Sequence, residues 1–137
     1  MHEESTLREC FDATPDAVPE ARHLLVQLVE RDRPEASEIV DAVGLTVSEA
    51  VGNVVRHAYR DSPPGLVEIS AQVQYGWLVV WVRDHGAGMA SDTPEPGLGL
   101  GLQIMHALAD THVTRPPGGG IEVSLRFPCH APAAASG

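Results

Sequence analysis

Residues 49–57 read Glu-Ala-Val-Gly-Asn-Val-Val-Arg-His, and two glycine-rich stretches follow in order: Asp-His-Gly-Ala-Gly at 84–88 and Gly-Leu-Gly-Leu-Gly-Leu at 97–102. Each of these three boxes is a common pattern when it stands alone. In this order, within a chain of 137 residues, they are hard to produce by chance. Together they supply a carboxylate and an amide on one helix face, an acid at a strand end and glycine turns before a second helix. This combination indicates one nucleotide pocket.

The composition is typical of a globular protein with one domain. Hydrophobic residues make up 43% of the chain and charged residues 20%, and the length is sufficient for a proper core. The formal net charge of −10 argues against nonspecific nucleic-acid binding, because phosphates would be repelled. A basic partner surface or a cation-bridged polyanion such as Mg-nucleotide is compatible with that charge.

No apolar run is long enough for a membrane span, and the first residues lack the basic and apolar regions of a signal peptide. Cys10 and Cys129 are far apart and outside any metal-like spacing. We therefore expect two reduced thiols in a cytoplasmic protein, although a bridge between terminal strands is the alternative. We expect no membrane partner.

Apolar periodicity predicts the elements on the N-terminal side of the pocket. Residues 6–12 are predicted to form an edge strand, and residues 18–31 an amphipathic helix. A second helix is expected over 34–58, with a proline in its first turn and a possible kink at Gly44.

Further along the chain, alternating or continuous apolar residues predict three strands, at 67–73, 77–82 and 121–127. Gly76 is predicted to lie in a hairpin, residues 86–99 to form a mobile lid, and residues 102–109 to be helical. The resulting fold class is α+β, a two-layer sandwich with helices on one face of a mostly antiparallel mixed sheet. We expect a single domain over 1–130 and a disordered tail over 131–137.

The first box places Glu49 and Asn53 four residues apart, hence one turn apart on one helix face. An amide oxygen is a neutral ligand for Mg²⁺, which also takes phosphate oxygens and waters. A carboxylate one turn away could accept a proton from an attacking hydroxyl. Arg56 lies near the same face and could meet a phosphate. The structural alternative is a solvated helix face, and it is weakest for Asn53 among its valine neighbours.

The second box begins with Asp84, at the end of an apolar strand. A carboxylate there can accept a hydrogen bond from an exocyclic amine such as that of adenine. Gly86 and Gly88 permit close approach of the backbone to a ring. An ordinary strand-end turn is the alternative interpretation.

The third box precedes a predicted helix, so its free N–H groups could bind an anion. Its spacing differs from that of the dinucleotide fingerprint, and a P-loop Gly-Lys-Ser/Thr is absent. A flexible loop with a glycine-rich cap is the alternative. His57 and His85 adjoin the boxes, but their spacing makes no metal set, and we assign neither a catalytic role.

These boxes resemble the motifs of the Bergerat-fold (GHKL) ATPases, the superfamily of the gyrase, heat-shock chaperone, histidine kinase and MutL ATP domains. Residues 49–53 resemble its N box, 84–88 its first glycine box and 99–101 its second. The small size and the sequences at 48–59 and 82–88 are most similar to anti-sigma factor serine/threonine kinases. The resemblance covers roughly residues 5–128.

The resemblance implies a role for each matching position. Glu49 would be the general base that activates a protein serine, Asn53 would hold Mg²⁺, and Asp84 would read the adenine amine of ATP. The remaining positions would shape the lid and the phosphate cradle: Gly86, Gly88, Gly99, Leu100, Gly101 and Leu102. Relatives are homodimers that bind a sigma factor and phosphorylate an anti-anti-sigma factor, which implies a role in transcription regulation.

Some residues depart from the family pattern. Residues 89–98 contain no Lys or Arg, where kinase relatives often carry a basic residue, and Arg56 is our candidate replacement. Ile121 and Glu122 stand where relatives tend to have a threonine. Two other functions therefore remain in view: a catalytically silent, ATP-gated switch that binds a partner, and the ATPase part of a histidine kinase. The second ranks last, because residues 1–30 are too few for a helical hairpin bearing a phospho-acceptor histidine.

Overall fold

The structure is a computed structural model that describes residues 5–59, 65–74, 76–86 and 98–129, with the backbone alone at 5, 74 and 98–100. Its described strands form one sheet in the order β1-β2-β3-β5-β4. Their bounds are Ser5–Asp12 (β1), Leu66–Gln74 (β2), Trp77–Asp84 (β3), Asp110–Thr114 (β4) and Glu122–Pro128 (β5). Every described pairing is antiparallel. The predicted α+β class is confirmed.

Within the described ranges, three α-helices accompany this sheet: α1 at Ala17–Asp32, α2 at Val40–Asn53 and α3 at Leu98–Leu108. The core lies between the helices and one face of the sheet, where alternate residues of the central strands are buried. Along β3, Leu78, Val80 and Val82 point into this core, because successive side chains of a strand point to opposite faces. Asp84 continues this alternation and therefore ends the strand on the covered face.

The predicted continuous helix over 34–58 is wrong in its details. Pro34–Ile39 is a 3₁₀ segment in which Ala36 is buried and has non-helical angles (φ −99°, ψ 32°). The α-helix runs unbroken through Gly44, and a wider π-helical turn, Val54–Ala58, follows it. A Cβ at Gly44 would lie 3.5 Å from the Arg22 side chain. A Cβ at Gly44 would thus fit at ordinary contact distance, and the predicted kink at this glycine is absent.

Strand β4 was not predicted from the sequence. Its five residues, Asp-Thr-His-Val-Thr, are mostly polar, and among them only Thr111 is buried. The strand lies at the sheet edge and pairs with β5, so it needs little apolar surface. The opposite edge is β1, as predicted.

The remaining expectations concern thiols, membrane spans and the tail. Both cysteines are free: Cys10 is exposed on β1, and Cys129 is buried just after β5. Among the described helices, none is long and apolar enough to cross a bilayer. The predicted tail at 131–137 and most of the predicted lid lie outside the described residues.

Candidate nucleotide-binding site

The end of α2 carries the polar residues of the first box. Asn53 is the last residue of this helix and is only 5% exposed, whereas Arg56 is exposed on the π-helical turn. The Arg56 Nη2 donates a hydrogen bond to Asn53 Oδ1 at 3.0 Å. The predicted common face of Asn53 and Arg56 is therefore present, and a π-helical turn of this kind is frequent at functional sites.

The first turn of α3 lies directly against these α2 side chains. A Cβ at Gly101 would be 3.0 Å from Glu49 Oε1 and 3.5 Å from Asn53 Nδ2. Only a residue without a side chain permits this approach without displacing a neighbour. The contact brings the first and third boxes together, which the sequence predicted only by resemblance.

Residues 98–102 of the third box lie inside a helix, not in a loop before it. Gly99 and Gly101 belong to the first turn of α3, which begins at Leu98, four residues before the predicted start. The backbone N–H groups of a first turn have no helical acceptor, and they form the positive end of the helix dipole. The donors expected of the box therefore belong to the helix itself, and anion binding there stays a prediction.

Two leucines of this box were predicted to contact the ligand. Leu102 is partly buried, and its side chain packs against the hydrophobic core. Leu100 lies in the first turn of α3, where the backbone alone is described. Gly88 lies outside the described residues.

Asp84 is a buried carboxylate, and one of its two oxygens accepts no hydrogen bond from the described residues. The residue is 2% exposed, and its Oδ1 accepts the Gly86 backbone N–H at 2.9 Å. Its Oδ2 is buried without a hydrogen-bond partner among the described residues. Burial raises the pKa of Asp84, and the Gly86 N–H partly offsets this effect. A buried acceptor that lacks a donor fits a ligand with an N–H group, such as the adenine amine.

The turn after Asp84 is held by close backbone contacts. A Cβ at Gly86 would overlap the Ala58 carbonyl oxygen at the end of the π-helical turn. From the other side, Gly120 (φ +82°) packs so closely that its Cβ would overlap the Asp84 carbonyl oxygen. Both glycines are therefore required by close approach, and Gly120 also by its positive φ.

Tyr59 connects the end of the helical segment to the same turn, and the sequence did not predict this role. Its hydroxyl donates to the Leu66 carbonyl oxygen at 2.7 Å and accepts the His85 backbone N–H at 3.0 Å. The only signal in the sequence was an aromatic residue just after the predicted helix. The His85 ring instead lies in an exposed pair with Glu68, Nε2 to Oε2 at 2.7 Å.

With this geometry established, comparison with known proteins identifies the family. A model of the histidine kinase-like ATPase domain matches residues 11–127. The chain belongs to the histidine kinase-like ATPase domain family. The resemblance to Bergerat-fold ATPases that the three boxes predicted is thereby confirmed.

Similar proteins include several anti-sigma F factors. That of Geobacillus thermodenitrificans (strain NG80-2) is 32% identical over 111 residues, which cover 73% of this chain and 75% of the relative. The anti-sigma F factor of Geobacillus stearothermophilus is 31% identical over the same shares of both chains. The blue-light-activated histidine kinase 2 of Erythrobacter litoralis (strain HTCC2594) is 36% identical over 66% of this chain, but only 28% of its own length is covered.

Proposed function

We propose that the protein is an ATP-dependent serine/threonine kinase that acts as an anti-sigma regulatory factor. It would bind Mg-ATP between α2, the end of β3 and the first turn of α3. The observation that carries this proposal is the close approach of Gly101 to Glu49 and Asn53, where a Cβ would lie 3.0 Å from Glu49 Oε1 and 3.5 Å from Asn53 Nδ2. It sets a carboxylate and an amide beside a helix N-terminus, the combination that phosphoryl transfer from a nucleotide needs.

The base of ATP would be recognised by Asp84. Its buried Oδ2 has no donor among the described residues, and the adenine amine would supply one. Gly86 presents backbone without a side chain next to this carboxylate, so a flat ring can approach. Ala58 packs closely on Gly86 and Gly120 on the Asp84 backbone, and this packing would limit the entropy lost when the base binds.

The phosphates would lie at the first turn of α3, where backbone N–H groups of residues 98–101 point outward from the helix end. Asn53 Oδ1 would serve as the protein ligand of the metal, in keeping with the preference of Mg²⁺ for oxygen donors. Bound Mg²⁺ would neutralise phosphate charge during transfer. The donor set at this corner therefore fits a metal–phosphate complex.

Glu49 would act as the general base. Its Oε1 lies against the Gly101 backbone, at the helix end assigned to the phosphates. From there the carboxylate could accept the proton of a serine or threonine hydroxyl as that oxygen attacks the terminal phosphorus. The proton would pass to Glu49, the bond from that phosphorus to the bridging oxygen of ADP would break, and ADP would leave with its electron pair.

The partners are inferred from the relatives named anti-sigma F factor. We infer that this chain binds a sigma factor and phosphorylates an anti-anti-sigma protein, as a cytoplasmic homodimer that regulates transcription. Residues 1–130 would form the single folded unit. The net charge of −10 favours basic protein surfaces over nucleic acid as direct partners.

The experiment is capture of partners from a native lysate, with and without Mg-ATP, followed by transfer of radiolabel from ATP to the captured protein. Transfer of acid-stable label to a serine or threonine supports the proposal. ATP-dependent capture without transfer would favour the silent switch. Acid-labile label would favour a histidine kinase. The similarity to the Erythrobacter litoralis histidine kinase supports that alternative.

A further inference from the structure

The atom assigned to the metal is already bonded to a cation of the chain itself. The Arg56 Nη2 donates to Asn53 Oδ1 at 3.0 Å. The guanidinium folds back along the helix over Gly52, where a Cβ would lie 3.1 Å from Arg56 Nη1. Both observations describe one position of the guanidinium, between Asn53 Oδ1 and the space above Gly52.

A guanidinium and a divalent cation compete for one amide oxygen. Both draw on the same lone pairs, and two positive charges a few ångströms apart repel each other strongly at a protein surface. A metal ion on Asn53 would therefore require Arg56 to leave. The side chain of Arg56 is exposed and four bonds long, so it can rotate away without disturbing the core.

We propose that Arg56 is a displaceable cation that holds Asn53 Oδ1 until the phosphates of the nucleotide draw the guanidinium away. This inference rests on the proposed function and names a specific role for Arg56 within it. Guanidinium groups bind phosphate with two parallel hydrogen bonds, more strongly than they bind a neutral amide. The phosphates would thus attract Arg56 and expose the metal ligand in the same event.

Gly52 makes the resting position of Arg56 possible. The three atoms nearest to a Cβ at Gly52 all belong to Arg56. Gly52→Ala would therefore crowd the guanidinium while keeping its charge, and alanine suits a helix better than glycine. Arg56→Met keeps the apolar stem of the side chain and removes its charge. Gly52→Ala is the variant to compare with it, because it moves the guanidinium and keeps the charge.

The test measures dissociation constants of the non-hydrolysable ATP analogue AMP-PNP by calorimetry, in excess Mg²⁺ and in a chelator. The ratio of the two constants is the magnesium enhancement. We expect Arg56→Met to weaken binding in the chelator by about three- to tenfold, since a phosphate contact is lost. Its magnesium enhancement should rise by a similar factor, because Mg²⁺ must then neutralise phosphate charge that Arg56 neutralises in the wild type.

Gly52→Ala should change chelator binding in the opposite direction, making AMP-PNP bind up to about threefold more tightly. Melting midpoints without ligand check that each variant folds. Equal magnesium enhancement in wild type and Arg56→Met would overturn the proposal, as would weaker binding by both variants in the same proportion.

Asn53→Ala separates this inference from the proposed function. Loss of the magnesium enhancement in this variant is expected if Asn53 holds the metal. An unchanged enhancement would overturn the metal assignment and the exchange together. If wild-type protein binds no AMP-PNP at all, the proposed function itself fails. A reduced enhancement in Asn53→Ala with no change in Arg56→Met rejects the exchange alone.

Discussion

Gly86 donates its backbone N–H to one oxygen of Asp84 at 2.9 Å and leaves the other oxygen buried with no donor among the described residues. A buried carboxylate that is half satisfied costs stability, because the charged form loses water without full compensation. The nucleotide-free fold carries this cost, and a ligand N–H would relieve it.

Asp84→Asn should separate stability from binding. The neutral amide keeps an oxygen for the Gly86 N–H and removes the buried charge, so the ligand-free variant should melt no lower than wild type at pH 7. Stabilisation by Mg-ATP should be largely lost, because Asn cannot replace the charged acceptor. A wild-type protein at 100 times its Kd should gain roughly 2.7 kcal/mol. Melting curves with and without Mg-ATP measure both effects, and an unmoved wild-type midpoint would reject nucleotide binding.

The raised pKa of Asp84 also predicts a pH dependence. Between the unfolded-state pKa, about 3.9, and the higher folded-state pKa, the folded protein binds more protons than the unfolded one. Stability contributed by Asp84 is therefore greatest below this window and is lost as pH rises through it. The difference in unfolding free energy between Asp84→Asn and wild type should grow across the window and then level off. A constant difference at all pH values would contradict the cause given for the shift.

Gly101→Ala should damage the site while sparing the fold. The added methyl would lie 3.0 Å from Glu49 Oε1, so Glu49 or the first turn of α3 must move. We expect this displacement to weaken Mg-ATP binding by roughly 5- to 150-fold, which corresponds to about 1–3 kcal/mol in binding free energy. Calorimetric titration measures the loss.

Gly44→Ala is the matched control for that variant. It is also a helical glycine, but its Cβ would meet Arg22 and Val26 at ordinary contact distances of 3.5–3.6 Å. We expect unchanged ATP affinity and a gain in stability of up to about 1 kcal/mol from helix propensity. If both variants lose affinity equally, the effect of Gly101→Ala does not come from its contact with Glu49.

Glu49→Gln tests the general base. The variant keeps the shape of the side chain beside Gly101, so ATP binding and partner capture should persist. Phosphoryl transfer to the partner should fall about 10²- to 10⁴-fold, the usual cost of losing a base. Radiolabel transfer under single-turnover conditions measures the chemical step directly. Equal labelling by wild type and variant would show that Glu49 only solvates the helix.

Gly86→Ala should destabilise the whole protein, unlike the substitutions above. Its Cβ would overlap the Ala58 carbonyl oxygen, which belongs to backbone and cannot rotate away. We expect a loss of about 1–3 kcal/mol or more in unfolding free energy. Gly118→Ala provides the control, since the nearest atom to its Cβ is Arg83 Nη2 at 4.0 Å. Denaturant titration of both variants checks the prediction, and equal stability would contradict the close contact.

Apolar periodicity predicted the elements that bury many side chains, and it failed where few are buried. Strands β2, β3 and β5 and helix α1 lie close to their predicted bounds. Strand β4 was not predicted because Thr111 is its one buried residue, so the strand shows no apolar alternation. The start of α3 was placed too late because glycines weaken helix propensity, whereas packing of Gly101 on α2 favours the helix there.

In the candidate site, too, some residues could be predicted from the sequence and others could not. Local spacing was enough to place Asn53 and Arg56 on one face, since a helix repeats over short distances. The contacts of Tyr59 with Leu66 and His85, and of Gly120 with Asp84, join residues far apart in the sequence or in different elements. No local pattern encodes such pairs, so only the folded structure reveals them.

The free oxygen of Asp84 has a consequence for which nucleotide base, adenine or another purine, the site accepts. A purine that carries a carbonyl where adenine carries its amine would turn a lone pair toward a carboxylate that has no proton to offer. In our proposal the site therefore rejects the wrong base by repulsion as well as by the loss of a bond. Because the pKa of Asp84 is raised, protonation as the pH falls would convert this oxygen into a donor. Discrimination between nucleotides should then weaken in acid, at the pH where the carboxylate takes up its proton.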